Sequence, residues 1–403
     1  WLELKNIFVT TGIPYPVLLL RNSFLMINIK SKLLINNLNI RITDIFKSNF
    51  ESKQDHGAQF CAYKNGELIL DLHGGWADKK KSKAISPSTL FPIFSSGKAV
   101  ASLTIAHLVE QKNLSYDELV SAIWPEFSAH GKANLTVAQL LSHQSGLSGI
   151  SCPNWTNEDW FDWKKTCDTL ANQRPIFSPG KVNGYHPITF GFLVGEIARR
   201  ADRNRRSLGR ILREDICEPN NLDIWIGLPK NKHDDCSEVI KPKKLANLGQ
   251  INSATEFAFL KNWSTPNTKP IERWREAEFA GNNCHSNAKS LAQIMQMAVT
   301  GNVKKRNYLS RENMLNLRKS HIKGPDRVLP FTIDFAAGLM KNSPNYFYGP
   351  NAETLGHSGW GGSCVFADHI SGISAAYVMN KQNNTLIGDL RPKRIIDKMY
   401  NCL

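Results

Sequence analysis

Strand patterns lie near both ends of this 403-residue chain, and helical patterns fill its middle. Residues 59–75 (QFCAYKNGELILDLHGG) predict two short strands around an Asn65-Gly66 turn, which is a strong hairpin signal. Two further strands are expected over residues 355–367 and 372–379. This distribution favours one α/β unit built from the two ends of the chain, with a mostly helical insertion between them.

The predicted organisation is an N-terminal extension followed by one domain. The expected boundaries are 1–44 for the extension and 45–403 for the domain, with an α/β part over 45–110 and 285–403 and a helical insertion over 111–284. The helical patterns that define these parts cover residues 95–113, 135–141, 287–299 and 390–400.

The N-terminal extension contains an apolar stretch over residues 7–29. Its uncharged run ends at Arg21, short of the roughly 20 residues that a helix needs to cross a bilayer. The stretch is therefore compatible with the remains of a targeting segment, a mispredicted exon or a packed N-terminal segment. It gives no firm membrane signal.

The chain is strongly basic, with a formal net charge of +15, although its 41% hydrophobic and 21% charged residues are ordinary for a soluble globular protein. The basic residues form scattered clusters without interleaved aromatic residues, and no helix-turn-helix or zinc-finger spacing occurs. We therefore expect a solvated basic surface and no nucleic-acid partner. Attraction to acidic lipid or nucleic acid is the alternative interpretation.

The eight cysteines show neither a CxxC motif nor a disulfide or zinc-site spacing. A reducing compartment fits this pattern best, with the cytoplasm favoured and the mitochondrion also open. Five Asn-x-Ser/Thr sequons, at Asn113, Asn134, Asn154, Asn262 and Asn383, argue weakly for the opposite. No HExxH, dinucleotide-binding GxGxxG or Walker motif is present, so we expect neither a metal nor a cofactor.

Ser95 and Lys98 stand three residues apart in the segment FPIFSSGKAV, where helical spacing begins. Positions i and i+3 share a helix face, so the two side chains can meet. Serine is a weak nucleophile until a base takes its proton, and lysine serves as that base only if its pKa is lowered. A serine at a helix N-terminus also has a free backbone N–H that can stabilise an oxyanion.

The spacing alone is not specific, because the chain has four Ser-x-x-Lys matches. They are Ser95/Lys98, Ser178/Lys181, Ser286/Lys289 and Ser320/Lys323. The second and fourth lie at Pro-Gly or Gly-Pro turns, but the third opens a helix and competes with the first. For either pair, a capping serine beside a solvated lysine is the structural alternative.

Longer segments resemble serine β-lactamases, penicillin-binding proteins and family VIII carboxylesterases, including their animal β-lactamase-like members. The segments are FPIFSSGKAV (first motif), LTVAQLLSHQSGL over 135–147, PGKVNGYHPITFGFLVGEIARR over 179–200 and LGHSGWGGSCVFAD over 355–368. The family's Tyr-x-Asn motif stands here as Tyr185-His186-Pro187, and its Lys-Thr-Gly motif as His357-Ser358-Gly359. The resemblance covers residues 45–400 and selects Ser95/Lys98 over the competing pair.

The resemblance implies a β-lactamase/transpeptidase-like α/β fold, in which an antiparallel sheet is flanked by helices. It implies that Ser95 is the nucleophile of an acyl-enzyme and that Lys98 is its base or proton relay. Tyr185 would act with Lys98, because a neighbouring ammonium favours the ionised form of a tyrosine. The backbone N–H groups of Ser95 and Trp360 would form the oxyanion hole.

Four further residues are expected to line the substrate pocket, namely His186, His357, Ser358 and Gly359. His143 is expected to be a hydrogen-bonded structural residue. Pro187 replaces the amide that β-lactamases use to hold the lactam side chain, and His357 replaces a fixed positive charge for the substrate carboxylate. Both changes favour a neutral ester, or an amide without a carboxylate, over a lactam.

The sequence therefore predicts a serine hydrolase that cleaves a small ester or amide. Two alternatives stay open at this stage: a β-lactamase or D-amino-acid peptidase, and a non-catalytic or filament-forming scaffold with the same fold. A homo-oligomer is also compatible with the sequence.

Overall fold

One antiparallel sheet of ten strands forms the centre of the protein, as seen in a computed structural model that describes residues 17–22, 25–31, 38–244 and 246–403. The strands in chain order are β1 (Val17–Asn22), β2 (Leu25–Ser31), β3 (Gly57–Lys64), β4 (Glu67–Gly75), β5 (Phe91–Pro92), β6 (Ile224–Trp225), β7 (His285–Ser286), β8 (Asn302–Val303), β9 (Arg306–Asn307), β10 (Ile322–Pro325), β11 (Thr332–Phe335), β12 (Met340–Lys341), β13 (Leu355–Ser358), β14 (Cys364–Asp368) and β15 (Ile373–Met379).

The order of strands in the sheet is β1-β2-β4-β3-β15-β14-β13-β12-β11-β10. The two ends of the chain meet where β3 pairs with β15, in a register that runs from Ile373 opposite Lys64 to Met379 opposite Ala58. The structure therefore confirms an α/β unit whose antiparallel sheet joins the N-terminal and C-terminal parts of the chain.

The α-helices pack around this sheet, and most of them come from the part of the chain between β4 and β10. They are α1 (Leu38–Glu51), α2 (Gly97–Glu110), α3 (Val120–Ile123), α4 (Val137–Leu141), α5 (Trp163–Asn172), α6 (Thr189–Ala201), α7 (Leu208–Ile211), α8 (Ser253–Thr255), α9 (Ile271–Glu276), α10 (Ala288–Ile294), α11 (Gln296–Thr300), α12 (Arg311–Arg318) and α13 (Leu390–Tyr400). Within the described parts of the chain, none of them is long and apolar enough to span a bilayer.

Helices cover both faces of the sheet, and the alternation of side chains along β3 shows how. Phe60 packs into the core formed with α1 and α13, whereas Cys61 faces the larger core that contains α2 and α10. Successive side chains of a strand point to opposite faces, so both must be apolar when both faces are covered. The larger core continues into the helical middle of the chain and carries the candidate site.

Three expectations about individual elements differ from the structure. The strand expected over 355–367 is two strands, because the glycine-rich residues 359–363 make a turn between β13 and β14. The helix expected over 287–299 tightens at Met295, which separates α10 from α11. The expected boundary at residue 44 falls inside α1, whose Phe46 is fully buried against the sheet.

Candidate active site

Ser95 lies in a tight 3₁₀ turn, Phe94–Ser96, immediately before α2. Phe94 has a φ of +49°, a left-handed conformation that is uncommon for a bulky residue and costs local strain. The turn is held at Ile93, whose N–H donates to Cys284 O at 2.8 Å and whose carbonyl accepts from Ser363 Oγ at 2.8 Å. The strained turn therefore presents a half-buried Ser95 from a fixed backbone.

Lys98 is fully buried one helical turn after Ser95, and its ammonium group contacts three oxygen atoms. Nζ lies 3.1 Å from Ser95 Oγ, 2.8 Å from Pro187 O and 3.0 Å from Gly281 O. Burial holds the pKa of Lys98 well below its ordinary value. The lysine is therefore poised to lose its proton.

The three contacts of Lys98 decide what its neutral amine can do. The carbonyl oxygens of Pro187 and Gly281 can only accept hydrogen bonds, so they take the two N–H groups of a neutral amine. The nitrogen lone pair is then left for the third neighbour, the Ser95 hydroxyl. This arrangement suits a base that removes the serine proton.

Tyr185 is buried beside the pair, with its ring centroid 4.8 Å from Lys98 Nζ. Burial raises the pKa of Tyr185, while a hydrogen bond with the Ser95 hydroxyl opposes this effect. The expectation that an ammonium would favour an ionised tyrosine is therefore wrong, because the pKa of Lys98 is lowered and that of Tyr185 is raised. Tyr185 keeps its proton and can donate it.

Asp326 holds the Tyr185 segment in place and was not recognised in the sequence. Its carboxylate accepts from the backbone N–H of Tyr185 at 3.0 Å and from the Asn183 side chain at 2.8 Å. It also accepts from the N–H groups of Val328 and Leu329. The only sequence signal was its position after Gly-Pro, which is typical of a turn residue rather than a site residue.

The turn after β13 packs directly on the Ser95 turn. Ser96 Oγ lies 3.0 Å from Ser363 Oγ, and a Cβ placed on Gly359 would lie 2.3 Å from Ile93 O and 3.2 Å from Ser96 N. Only a glycine permits this approach. Trp360 follows Gly359 directly in this turn. Among the described residues, neither the backbone N–H of Trp360 nor that of Ser95 has a backbone hydrogen-bond partner.

His357 is fully buried near the pair, with its ring centroid 6.0 Å from that of Tyr185. Burial, reinforced by Lys98, lowers its pKa to about 3, so the imidazole is neutral at pH 7. Nδ1 lies 2.9 Å from Ser358 O and must carry the proton, since a carbonyl only accepts. Nε2 is then an acceptor without a partner in the described structure.

The structure does not bring His186 to the surface of the site. Its Nδ1 lies 2.6 Å from Gly184 O, and its Nε2 lies 2.7 Å from Ser145 Oγ and 3.2 Å from Leu147 N. The ring is fully buried and both nitrogens are occupied. The expectation that His186 lines the pocket is therefore corrected: the ring braces the segment after His143.

Two other expected residues are also occupied by the protein itself. Ser358 Oγ lies 2.9 Å from Tyr348 OH, so its hydroxyl is engaged in a hydrogen bond within the protein. His143 Nδ1 accepts from His186 N at 3.2 Å, and the His143 ring packs 4.9 Å from Tyr185 and 4.8 Å from Phe335 between centroids. His143 is a hydrogen-bonded packing residue, as expected.

The competing pair, Ser286 and Lys289, does not form a comparable site. Ser286 Oγ donates to Asp223 O at 2.7 Å, whereas Lys289 Nζ faces Asp71 at 3.6 Å and is 43% exposed. The two side chains thus engage different partners, and Lys289 remains solvated. In the ranges that the structure describes, no group of three or more His, Cys, Asp or Glu side chains could hold a metal ion.

Comparisons with known proteins show the family to which this chain belongs. The model of the Beta-lactamase family matches residues 43–398. This chain belongs to the Beta-lactamase family. The family assignment confirms the resemblance seen in the sequence, and it makes the chain a serine hydrolase of the esterase and β-lactamase type.

Several known proteins and solved structures are similar to this chain over most of its length. The Esterase/beta-lactamase LipL of Mycobacterium tuberculosis is 27% identical over 356 residues, which is 85% of this chain and 81% of LipL. A penicillin-binding protein homologue from Caulobacter crescentus is 44% identical, with a TM-score of 0.87 over 91% of this chain and 98% of its own. A family VIII carboxylesterase structure is 33% identical, with a TM-score of 0.83 and the same coverage.

Proposed function

We propose that this protein hydrolyses a small neutral carboxylic ester, or an amide without a carboxylate, through an acyl-enzyme on Ser95. The observation that carries the proposal is the buried Lys98 amine, 3.1 Å from Ser95 Oγ and otherwise held only by carbonyl oxygens. The names of its relatives, an esterase/β-lactamase and a family VIII carboxylesterase, support the same reaction class.

The acylation step follows from the roles of three side chains. Neutral Lys98 takes the proton of the Ser95 hydroxyl while Ser95 Oγ attacks the substrate carbonyl carbon. The carbonyl oxygen becomes an oxyanion and accepts hydrogen bonds from the N–H groups of Ser95 and Trp360. Protonated Tyr185 donates to the leaving alkoxide or amine, and the proton on Lys98 restores the tyrosine.

Deacylation reverses these roles with water as the nucleophile. Lys98, neutral again, accepts a proton from water through Tyr185 or directly, and the water oxygen attacks the acyl carbon. Ser95 Oγ leaves as the alkoxide and takes the proton back. The products are a carboxylic acid and an intact Ser95, so one water is consumed for each ester bond broken.

The state of His357 supports a neutral substrate. A lysine at this position would offer a permanent positive charge to a substrate carboxylate, whereas His357 is uncharged with a pKa near 3. Its unpaired Nε2 is an acceptor and would repel a carboxylate oxygen. The second candidate function, β-lactam hydrolysis, is supported by the similarity to the esterase/β-lactamase LipL, but the site of this chain lacks the anchoring charge.

The test is turnover of short p-nitrophenyl esters and of a chromogenic cephalosporin by the wild type, Ser95→Ala and Ser286→Ala. We expect ester hydrolysis that is lost in Ser95→Ala and retained in the matched control Ser286→Ala, whose hydroxyl bonds to Asp223 O. Faster turnover of the cephalosporin would favour the second candidate. An inactive wild type that elutes as large assemblies would favour a scaffold and overturn the proposal.

A further inference from the structure

The turn after β13 is closed by its own backbone, which fixes the direction of the Trp360 N–H. Gly362 N donates to Gly359 O at 3.1 Å across the turn. A trans peptide places its N–H opposite its carbonyl, so the N–H of Trp360 points away from the bonded Gly359 oxygen. Any movement of this turn would therefore re-aim one donor of the proposed oxyanion hole.

A second segment, residues 380–391, forms hydrogen bonds to this turn; we call it the strap. Gln382 Nε2 donates to Trp360 O at 3.2 Å. Gly361 N donates to Thr385 O at 3.2 Å, and Asn383 N donates to Gly361 O at 2.9 Å. The strap thus binds the two peptide units that follow the Trp360 N–H.

Arg391, at the end of the strap, supplies the charged contact to the turn. Its side chain is 1% exposed, and Nη2 donates to Gly361 O and to Asp389 Oδ2. Nε donates to Asp389 Oδ1 at 3.0 Å, and Nη1 donates to Asp55 Oδ1 at 2.9 Å. Asp55 in turn accepts from Tyr377 OH on the central strand β15. The guanidinium therefore links the turn to the sheet and to the start of α13.

We propose that Arg391 is a positioning residue of the oxyanion hole: it holds the Gly361 carbonyl and so orients the Trp360 N–H. The inference rests on the proposed function of Ser95, since it concerns the same reaction. Arg391 is too deeply buried to touch a substrate. Its planar, charged guanidinium makes strong hydrogen bonds of fixed geometry. Such contacts would keep the Trp360 N–H in the direction that a preorganised oxyanion hole requires.

The test compares Arg391→Lys and Gln382→Met with the wild type. In Arg391→Lys the positive charge is kept, but a lysine cannot make two hydrogen bonds to Asp389 and also reach Gly361 O. Gln382→Met removes one hydrogen bond from the strap to the turn. We expect kcat/KM for a short p-nitrophenyl ester to fall about 10-fold or more, through kcat rather than KM. Each rate is divided by the concentration of enzyme whose Ser95 reacts with a fluorophosphonate when the labelling is carried to completion.

A second readout separates positioning from stability. An oxyanion hole prefers an oxygen ester over the matching thionoester, because sulfur accepts hydrogen bonds poorly. We expect this preference to shrink in both variants. The control is Arg206→Lys, since Arg206 is 14% exposed and its pairs with Asp202 and Asp215 lie outside the strap. It should lower stability and leave the preference unchanged.

The outcomes are distinct. The inference is wrong if both strap variants keep the wild-type kcat per labelled Ser95 and the wild-type preference for the oxygen ester over the thionoester, even if their stability falls. Gln382→Met decides the question if Arg391→Lys does not fold, because unpaired buried carboxylates are costly. A wild type with neither ester turnover nor a labelled Ser95 would instead overturn the proposed function, and this inference with it.

Discussion

Lys98 Nζ lies 3.1 Å from Ser95 Oγ, and the other two oxygens it contacts are the backbone carbonyls of Pro187 and Gly281. No carboxylate of the described residues forms an ion pair with this lysine, so burial lowers its pKa without opposition. Burial thus favours the neutral amine of Lys98 over its ammonium form, and the proposed chemistry uses that neutral amine as the base.

The dependence of activity on pH should report the proton of Lys98. Protonation removes the base, so kcat/KM should rise with pH and level off well below the pH at which an exposed lysine titrates. The raised pKa of Tyr185 keeps its proton across this plateau. The measurement is the profile from about pH 5 to about pH 10, and a rise centred where free lysine titrates would contradict the assignment.

Gly281→Ala should disable the site with little change in the fold. A Cβ at this position would lie 2.7 Å from Lys98 Nζ, so the amine must move away from Ser95. We expect kcat to fall about 100-fold, the usual effect of losing a general base. The matched control is Gly324→Ala, whose Cβ would meet only Asn183 Oδ1 at 3.8 Å. Equal activities of the two variants would argue against Lys98 as the base.

Tyr185→Phe should slow turnover by removing the proton donor while keeping the ring against Lys98. We expect a loss of about 10²-fold or more in kcat for esters with poor leaving groups, and a smaller loss for p-nitrophenyl esters, which leave without protonation. Tyr116→Phe is the control, because its buried hydroxyl has no partner in the described structure. The same loss for both kinds of ester would exclude a role in protonating the leaving group.

Acid should destabilise this protein through its buried histidines. His186, His285 and His357 have pKa values lowered to about 3 by burial, against 6.5 for an exposed histidine. Between these values the unfolded chain binds more protons than the folded one. The free energy of unfolding should therefore fall as the pH is lowered from 6.5 towards 3, by about 1.4 kcal/mol per pH unit for each histidine.

His285→Leu isolates one of these contributions, because carboxylates also contribute to acid unfolding. Urea denaturation of the variant and the wild type at several pH values gives the two slopes. Below pH 6.5, the free energy of unfolding of the variant should depend less steeply on pH than that of the wild type. The difference should be the contribution of one histidine, about 1.4 kcal/mol per pH unit. Identical slopes would mean that His285 is not held neutral in the folded state.

Local patterns in the sequence identified much of the fold. The Asn65-Gly66 turn lies between β3 and β4 as predicted, with both residues at positive φ. The short strands β10, β11 and β12 were missed, since two to four residues carry too little periodicity to be recognised. The break inside 355–367 was also missed, because a glycine-rich run is compatible with either a strand edge or a turn.

The candidate site shows a different limit of the sequence. The resemblance to the family's motifs located Ser95, Lys98 and Tyr185, which the structure brings together. It could not locate Gly281, because a backbone carbonyl leaves no trace in side-chain identity. It also misplaced His186, since neighbours of a motif residue can point into the protein, and only the contact with Ser145 shows this direction.

Covalent labelling of Ser95 tests the central claim most directly. The full chain is treated with a fluorophosphonate probe, and the modified peptide is located by mass spectrometry, with Ser95→Ala and Ser286→Ala as matched controls. An activated serine should carry the label on the peptide that contains Ser95, with labelling lost in Ser95→Ala and kept in Ser286→Ala. Folded protein that remains unlabelled, or that carries the label on Ser286, would contradict the account.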